Sequence, residues 1–207
     1  MFIALGLVAL VVGLIGMELA VQNNLKAGLV KLTSTGLFFG LSIVGTILFP
    51  SIGMVILSVG FLLSVIGDYF LSYLGKDEVF IYGALSFLIG YVLFGVSFLF
   101  KTLIINEMII IPLITLIGFS IFQFLFLKAG DKTIPIAVYL LAQVFLVSMA
   151  ILTGNWMIVI GTSLLYISDS VIAHQLFNPN WPFKNAYQYL IMPTYYTGLF
   201  LIICSIF

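Results

Sequence analysis

The chain has 207 residues, of which 63% are apolar and 7% charged, with a formal net charge of zero and a single cysteine. So few charges cannot cover a water-soluble domain of this size, and long uninterrupted apolar runs are the signature of spans through lipid. The lack of any basic tract argues against nucleic acid as a partner, and the lone Cys204, deep in the last apolar run, excludes an intrachain disulfide.

These runs predict an all-α polytopic membrane protein, a single domain over 1–207 built as a bundle of eight transmembrane helices. The first span covers about 2–21 and ends at Gln22-Asn23-Asn24; with no basic n-region and no clear cleavage site, it reads as a span rather than a leader. The second covers about 27–48 and stops before Pro50, and the third covers about 52–74, closed by Gly75-Lys76-Asp77-Glu78. The fourth spans about 79–100, the fifth about 106–127 and the sixth about 133–152. Thr153-Gly154-Asn155 leads into the seventh, about 156–175, and the longest loop, from Phe177 to Lys184, precedes the eighth, about 185–206.

Lysine placement sets an orientation, because cytoplasmic loops carry the positive excess. Lys26, Lys76, Lys128, Lys132 and Lys184 follow odd-numbered spans, Lys31 lies just inside the second span on that side, and only Lys101 is opposite. Both termini are therefore expected on the non-cytoplasmic side. With no arginine in the chain, phosphate recognition falls to lysines, backbone N–H groups or hydroxyls.

An ionisable side chain inside hydrocarbon costs at least about 2.5 kcal/mol and asks for an explanation. Asp68 in the third span and Asp169 in the seventh each sit about six residues before a helix end, or about 9 Å. Both spans run the same way, so the two carboxyls are expected at one depth, near the cytoplasmic side. Glu18, Lys31, His174, Tyr195 and Tyr196 gather toward that level. Gly60, Ser64, Asp68 and Ser72 recur every four residues, a stripe suited to close packing or to lining a cavity, and Thr162, Tyr166 and Asp169 form a similar one. Tyr166 and Tyr195 are candidate hydrogen-bond donors to the carboxyls. Blander roles stand beside these: protonated, hydrogen-bonded structural aspartates, a salt bridge to Lys31, snorkelling for Glu18 and Lys31, and an interfacial His174. Ser170 and His174 share a face, yet no orienting acid or oxyanion hole accompanies them. Gly36-x-x-x-Gly40 reads as a helix-packing motif.

At these residues the chain resembles the YhhN-like lysoplasmalogenase family. The matching segments are Gly67-Asp68-Tyr69-Phe70-Leu71, then Tyr82-Gly83-Ala84-Leu85-Ser86-Phe87-Leu88-Ile89-Gly90, then Leu165-Tyr166-Ile167-Ser168-Asp169-Ser170 with Phe177, and finally Pro193-Thr194-Tyr195-Tyr196. Lys31-Leu32-Thr33 is similar to the family's Lys-Pro-Leu/Thr opening of the second span, with Leu32 in place of proline. The similarity covers most of the chain in the right order. Tyr91 stands where the pattern usually has His, and Leu199 where it commonly has Gln; these departures bear on substrate preference.

The resemblance implies a cell-membrane hydrolase that cleaves the vinyl ether of lysoplasmalogens, single-chain amphiphiles drawn from membrane lipid, to a fatty aldehyde and a glycerophospho-alcohol. It implies Asp68 and Asp169 as the catalytic pair; Lys31, Tyr166, Tyr195 and Tyr196 are, from their placement, the substrate-binding candidates, and the chemistry needs no metal or cofactor. Two carboxyls in different environments can divide the work of acid and stabiliser, as in glycosidases. Buried aspartates also mark proton pathways, and Leu62 to Asp68 partly repeats as Leu164 to Asp169, a hint of the parallel repeats of transporters. A proton-coupled lipid transporter is therefore the alternative. An intramembrane aspartyl protease also uses two carboxyls, but Ile66 breaks its Gly-x-Gly-Asp signature.

Overall fold

The computed structural model describes all residues except 23–25, 74–76, 128–129 and 179–186. Lys76, Lys128, Lys184 and most of the longest predicted loop lie outside the described residues. Eight α-helices are described: α1 (Phe2–Val21), α2 (Ala27–Leu48), α3 (Ile52–Tyr73), α4 (Asp77–Phe98), α5 (Ile110–Phe126), α6 (Thr133–Leu152), α7 (Trp156–Phe177) and α8 (Tyr187–Cys204). No strand is present among the described residues. Seven of the helices are long and apolar enough to cross a membrane, and the described apolar stretch of α8, Tyr189–Cys204, is shorter. Large apolar side chains cover the outside, with Ile47, Ile111 and Leu125 each more than 70% exposed. Lipid tails, unlike water, solvate such a surface without cost.

Local sequence explains the helix ends. Pro50 has no N–H to continue α2, and the Ser51 hydroxyl accepts from the Met54 N–H at 3.2 Å as α3 begins. The turn between α6 and α7 needs Gly154, whose φ of 63° disfavours other residues. Asn155 then caps α7, its Oδ1 accepting from the Met157 N–H at 3.0 Å. The fifth span, Glu107–Phe126, matches the expected bounds, and it opens on a short 3₁₀ turn over Glu107–Ile109 before α5.

Successive helices pack in a ring: α1 on α2, α2 on α3, α3 on α4, α4 on α6, α6 on α7, α7 on α8, and α8 back on α1. α5 stands outside this ring against α6. The rings of Phe2 and Phe207 stack with centroids 4.5 Å apart, so both ends of the described chain lie at one end of the bundle. The core fills with Phe38, Phe61, Phe94, Leu146, Leu165 and Leu199.

Small residues set the closest helix contacts. A Cβ on Gly198 would lie 2.7 Å from the Gly161 carbonyl oxygen, so α7 and α8 meet backbone to backbone. On α3, Gly60 of the predicted stripe receives the ring of Phe94 from α4, which is the close packing expected of it, and the adjacent Gly67 receives that of Phe87. Gly36 and Gly40 have nothing within 4 Å of an added Cβ, and the packing role expected of them is not exercised within the bundle.

Candidate functional site

Asp68 lies toward the C-terminal end of α3 and is 8% exposed. Its Oδ2 accepts the Tyr195 hydroxyl of α8 at 3.3 Å. From α2, Thr35 stands against the same carboxyl, and the Lys31 ammonium is within its electrostatic reach without a contact ion pair. Lys31 can sit here because α1 carries Gly16 at the crossing, where a Cβ would come within 3.2 Å of the Lys31 backbone nitrogen. The neighbouring Tyr196 is fully buried with its ring against Gly13, and its hydroxyl has no hydrogen-bond partner among the described residues.

Asp169 is held differently. Two donors from α6, the Tyr139 hydroxyl at 3.0 Å and the Gln143 Nε2 at 2.8 Å, both reach its Oδ2. Tyr139 and Gln143 are four residues apart and so share one helix face. The buried Tyr91 of α4 packs against the same carboxyl, its hydroxyl making no well-formed hydrogen bond among the described residues. Tyr91 fills the place where the family pattern usually has His, and Leu199, at the other departure, is fully buried in the core.

Aromatic rings connect the two carboxyls. Tyr139 meets Tyr91 edge to face at 6.1 Å, Tyr91 lies 6.4 Å from Phe87, Phe87 lies 5.8 Å from Tyr195, and Tyr195 lies 5.0 Å from Tyr196. Tyr195 is within electrostatic reach of both Asp68 and Asp169. The carboxyls share no hydrogen-bond donor among the described residues; each has its own set.

The arrangement has an internal order. The third helix of each half, α3 or α7, supplies the aspartate. The second, α2 or α6, supplies polar partners to that aspartate. The fourth helix, α4 or α8, sends a tyrosine to the aspartate of the opposite half. Helix contacts follow the same rule, α4 on α6 and α8 on α2, while α5 lacks the packing on α4 that its counterpart α1 makes on α8.

Several expected site residues are placed elsewhere. Tyr166 does not reach either carboxyl: its hydroxyl donates to Gln123 Oε1 of α5 at 2.9 Å and lies 2.8 Å from the Ser120 hydroxyl. Glu18 is exposed and accepts from Gln22 at 2.9 Å, away from the pair. The Ser170 hydroxyl is turned toward two acceptors, the Tyr166 carbonyl at 2.7 Å and Gln123 Oε1 at 3.2 Å. Tyr139 and Gln143 escaped the sequence reading, and Tyr91 entered it only as a departure from the family pattern; an amide in mid-span was the signal available for Gln143. An open groove of about 390 Å³ lies at the opposite end of α3, lined by Pro50, Ser51, Met54, Ser97, Phe100 and Lys101, apart from the aspartates. Burial there pushes the Lys101 ammonium below its ordinary value.

Set against known families, residues 26–206 match the model of the YhhN family. Neither the curated proteins nor the solved structures give a match.

Proposed function

The chain belongs to the YhhN family, and from that premise we propose that it hydrolyses the vinyl ether bond of lysoplasmalogens, as a multi-pass enzyme of the cell membrane that crosses the bilayer eight times with both termini on the non-cytoplasmic side. One observation carries the chemistry: two carboxyls on separate helices, Asp68 buried and Asp169 half-buried, differently partnered, against one aromatic cluster. The placement of Phe2 beside Phe207 supports an even number of crossings.

Asp169, in its protonated form, donates its proton to the outer alkene carbon, and the alkene electron pair forms the new C–H bond. The inner carbon and the ether oxygen become an oxocarbenium ion, which the Asp68 carboxylate stabilises. Water adds to that carbon and gives its proton to Asp68. The resulting hemiacetal collapses: its hydroxyl proton passes to the ether oxygen, the C–O bond breaks, and aldehyde and glycerophospho-alcohol leave. One proton must then return from Asp68 to Asp169, and Tyr195 lies within reach of both. Lys31 anchors the head-group phosphate beside Asp68, and Tyr195 and Tyr196 bound the aliphatic end of the site. No cofactor is required by these steps.

The crossed exchange of tyrosines between halves also suits a transporter built on a parallel repeat, with the aspartates as proton site. Purified protein in detergent separates the readings, because transport needs two compartments and hydrolysis does not. Release of fatty aldehyde from a vinyl ether lysolipid is expected; its absence in folded protein would leave the transporter.

A further inference from the structure

The two donors on Asp169 do more than satisfy it. A carboxyl oxygen has two in-plane lone pairs, and Oδ2 of Asp169 receives a phenol at 3.0 Å and a primary amide at 2.8 Å. Both donors come from consecutive turns of α6, and Gln143 is 2% exposed, so its amide cannot leave Oδ2 without stranding a buried polar group. Oδ1 accepts no well-formed hydrogen bond among the described residues, and the Tyr91 hydroxyl of α4 stands against the carboxyl without one. Asp68 differs, with Tyr195 at 3.3 Å as its sole well-formed side-chain donor among the described residues.

We propose that Tyr139 and Gln143 are positioning residues that occupy Oδ2 of Asp169 and thereby fix Oδ1 as the oxygen carrying the transferable proton. With both lone pairs of Oδ2 engaged, a proton there would have to displace a donor, whereas at Oδ1 no hydrogen bond has to be broken among the described residues. The doubly bonded oxygen also holds the carboxyl plane against rotation, so the O–H direction is set before substrate arrives. Preorganised polar groups of this kind act at the moment of reaction without further reordering. The inference rests on the proposed hydrolysis for its kinetic consequence, though not for the state of the carboxyl itself.

The test pairs infrared spectroscopy with kinetics on the full chain in detergent. At a pH low enough to protonate the carboxyl, the C=O stretch lost in Asp169→Asn is assigned to Asp169. Gln143→Met and Tyr139→Phe should each move that band to higher frequency, because a carbonyl relieved of a donor stiffens, and the double variant should move it furthest. On a vinyl ether lysolipid, each single variant should lower kcat about 10–100-fold, the usual cost of losing an orienting partner, with KM nearly unchanged. Thermal unfolding identifies which variants remain folded. A band that stays put in both folded single variants overturns the proposal, as does a shifted band with wild-type kcat. Should the wild type cleave no vinyl ether lipid, the hydrolase reading falls by itself and the band shift still decides how Asp169 is held.

Discussion

Tyr195 and Asp68 are 127 positions apart in the chain, and the hydroxyl of one donates to the carboxyl of the other at 3.3 Å. The bond joins α8 to α3 across the middle of the bundle and ties the last helix to the first aspartate. Tyr195→Phe should therefore cost roughly 1 kcal/mol of stability, the net worth of such a bond. Turnover of a vinyl ether lysolipid should fall about 100-fold, as for loss of one preorganised donor. Wild-type kcat in folded Tyr195→Phe would detach this tyrosine from the chemistry.

Asp68→Asn and Asp169→Asn should each leave the bundle folded, with unfolding temperature level or raised. The amide keeps volume and hydrogen-bonding capacity while removing a carboxyl whose charged form is costly to bury. Hydrolysis should drop at least about 100-fold, the lower end of what general acid–base groups contribute. Turnover should be slower in D₂O, since proton transfer to carbon limits the rate. Substantial turnover by either variant contradicts the two-carboxyl mechanism.

Lys31→Met should act on binding. The ammonium stands near the Asp68 carboxyl without pairing to it in contact, which leaves it available to a phosphate. KM should rise with kcat largely kept, the pattern of lost ground-state anchoring. An unchanged KM in folded protein assigns Lys31 to electrostatic support of Asp68 alone.

Gly198→Ala should be the most damaging of the methyl additions. Its Cβ would lie 2.7 Å from the Gly161 carbonyl oxygen, a backbone atom that cannot rotate aside as a side chain would. Overpacking of this kind costs about 1–3 kcal/mol. Gly36→Ala, where nothing lies within 4 Å, is the control and should leave the unfolding temperature close to wild type.

Orientation in the membrane is read with reporters. A C-terminal alkaline phosphatase fusion should be active and a cytoplasmic fluorescent reporter at the same position dark. The opposite pair of results would invert the bundle and put Lys31 and both aspartates near the outer face.

The helices were legible in the sequence because lipid imposes one requirement on every span, a run of apolar residues of fixed length, and the breaks at Pro50 and Thr153-Gly154-Asn155 interrupt it visibly. Asp68 and Asp169 stood out by the same logic, as ionisable groups where lipid forbids them. The partners did not. Which face of a helix meets which neighbour depends on the order of helices around the ring, and periodicity within one span carries no trace of it. Tyr166 sits one turn from Asp169 and points to α5; Tyr139 is 30 residues away and bonds to it. Gly36 and Gly40 show the same gap in reverse, a packing pattern without a partner in the bundle.

The exchange of tyrosines between halves makes the two aspartates hostages to each other's scaffolds. The well-formed hydrogen bond on Asp68 comes from α8 of the other half, and the ring of Tyr91 from α4 packs against Asp169, whose own hydrogen bonds come from α6. Damage therefore registers at a distance from its origin: a lesion in α4 is felt at the aspartate of the second half, and one in α8 at that of the first. Second-site suppressors of a weakened Tyr195 should accordingly fall on α2 and α3, and those of a weakened Tyr91 on α6 and α7.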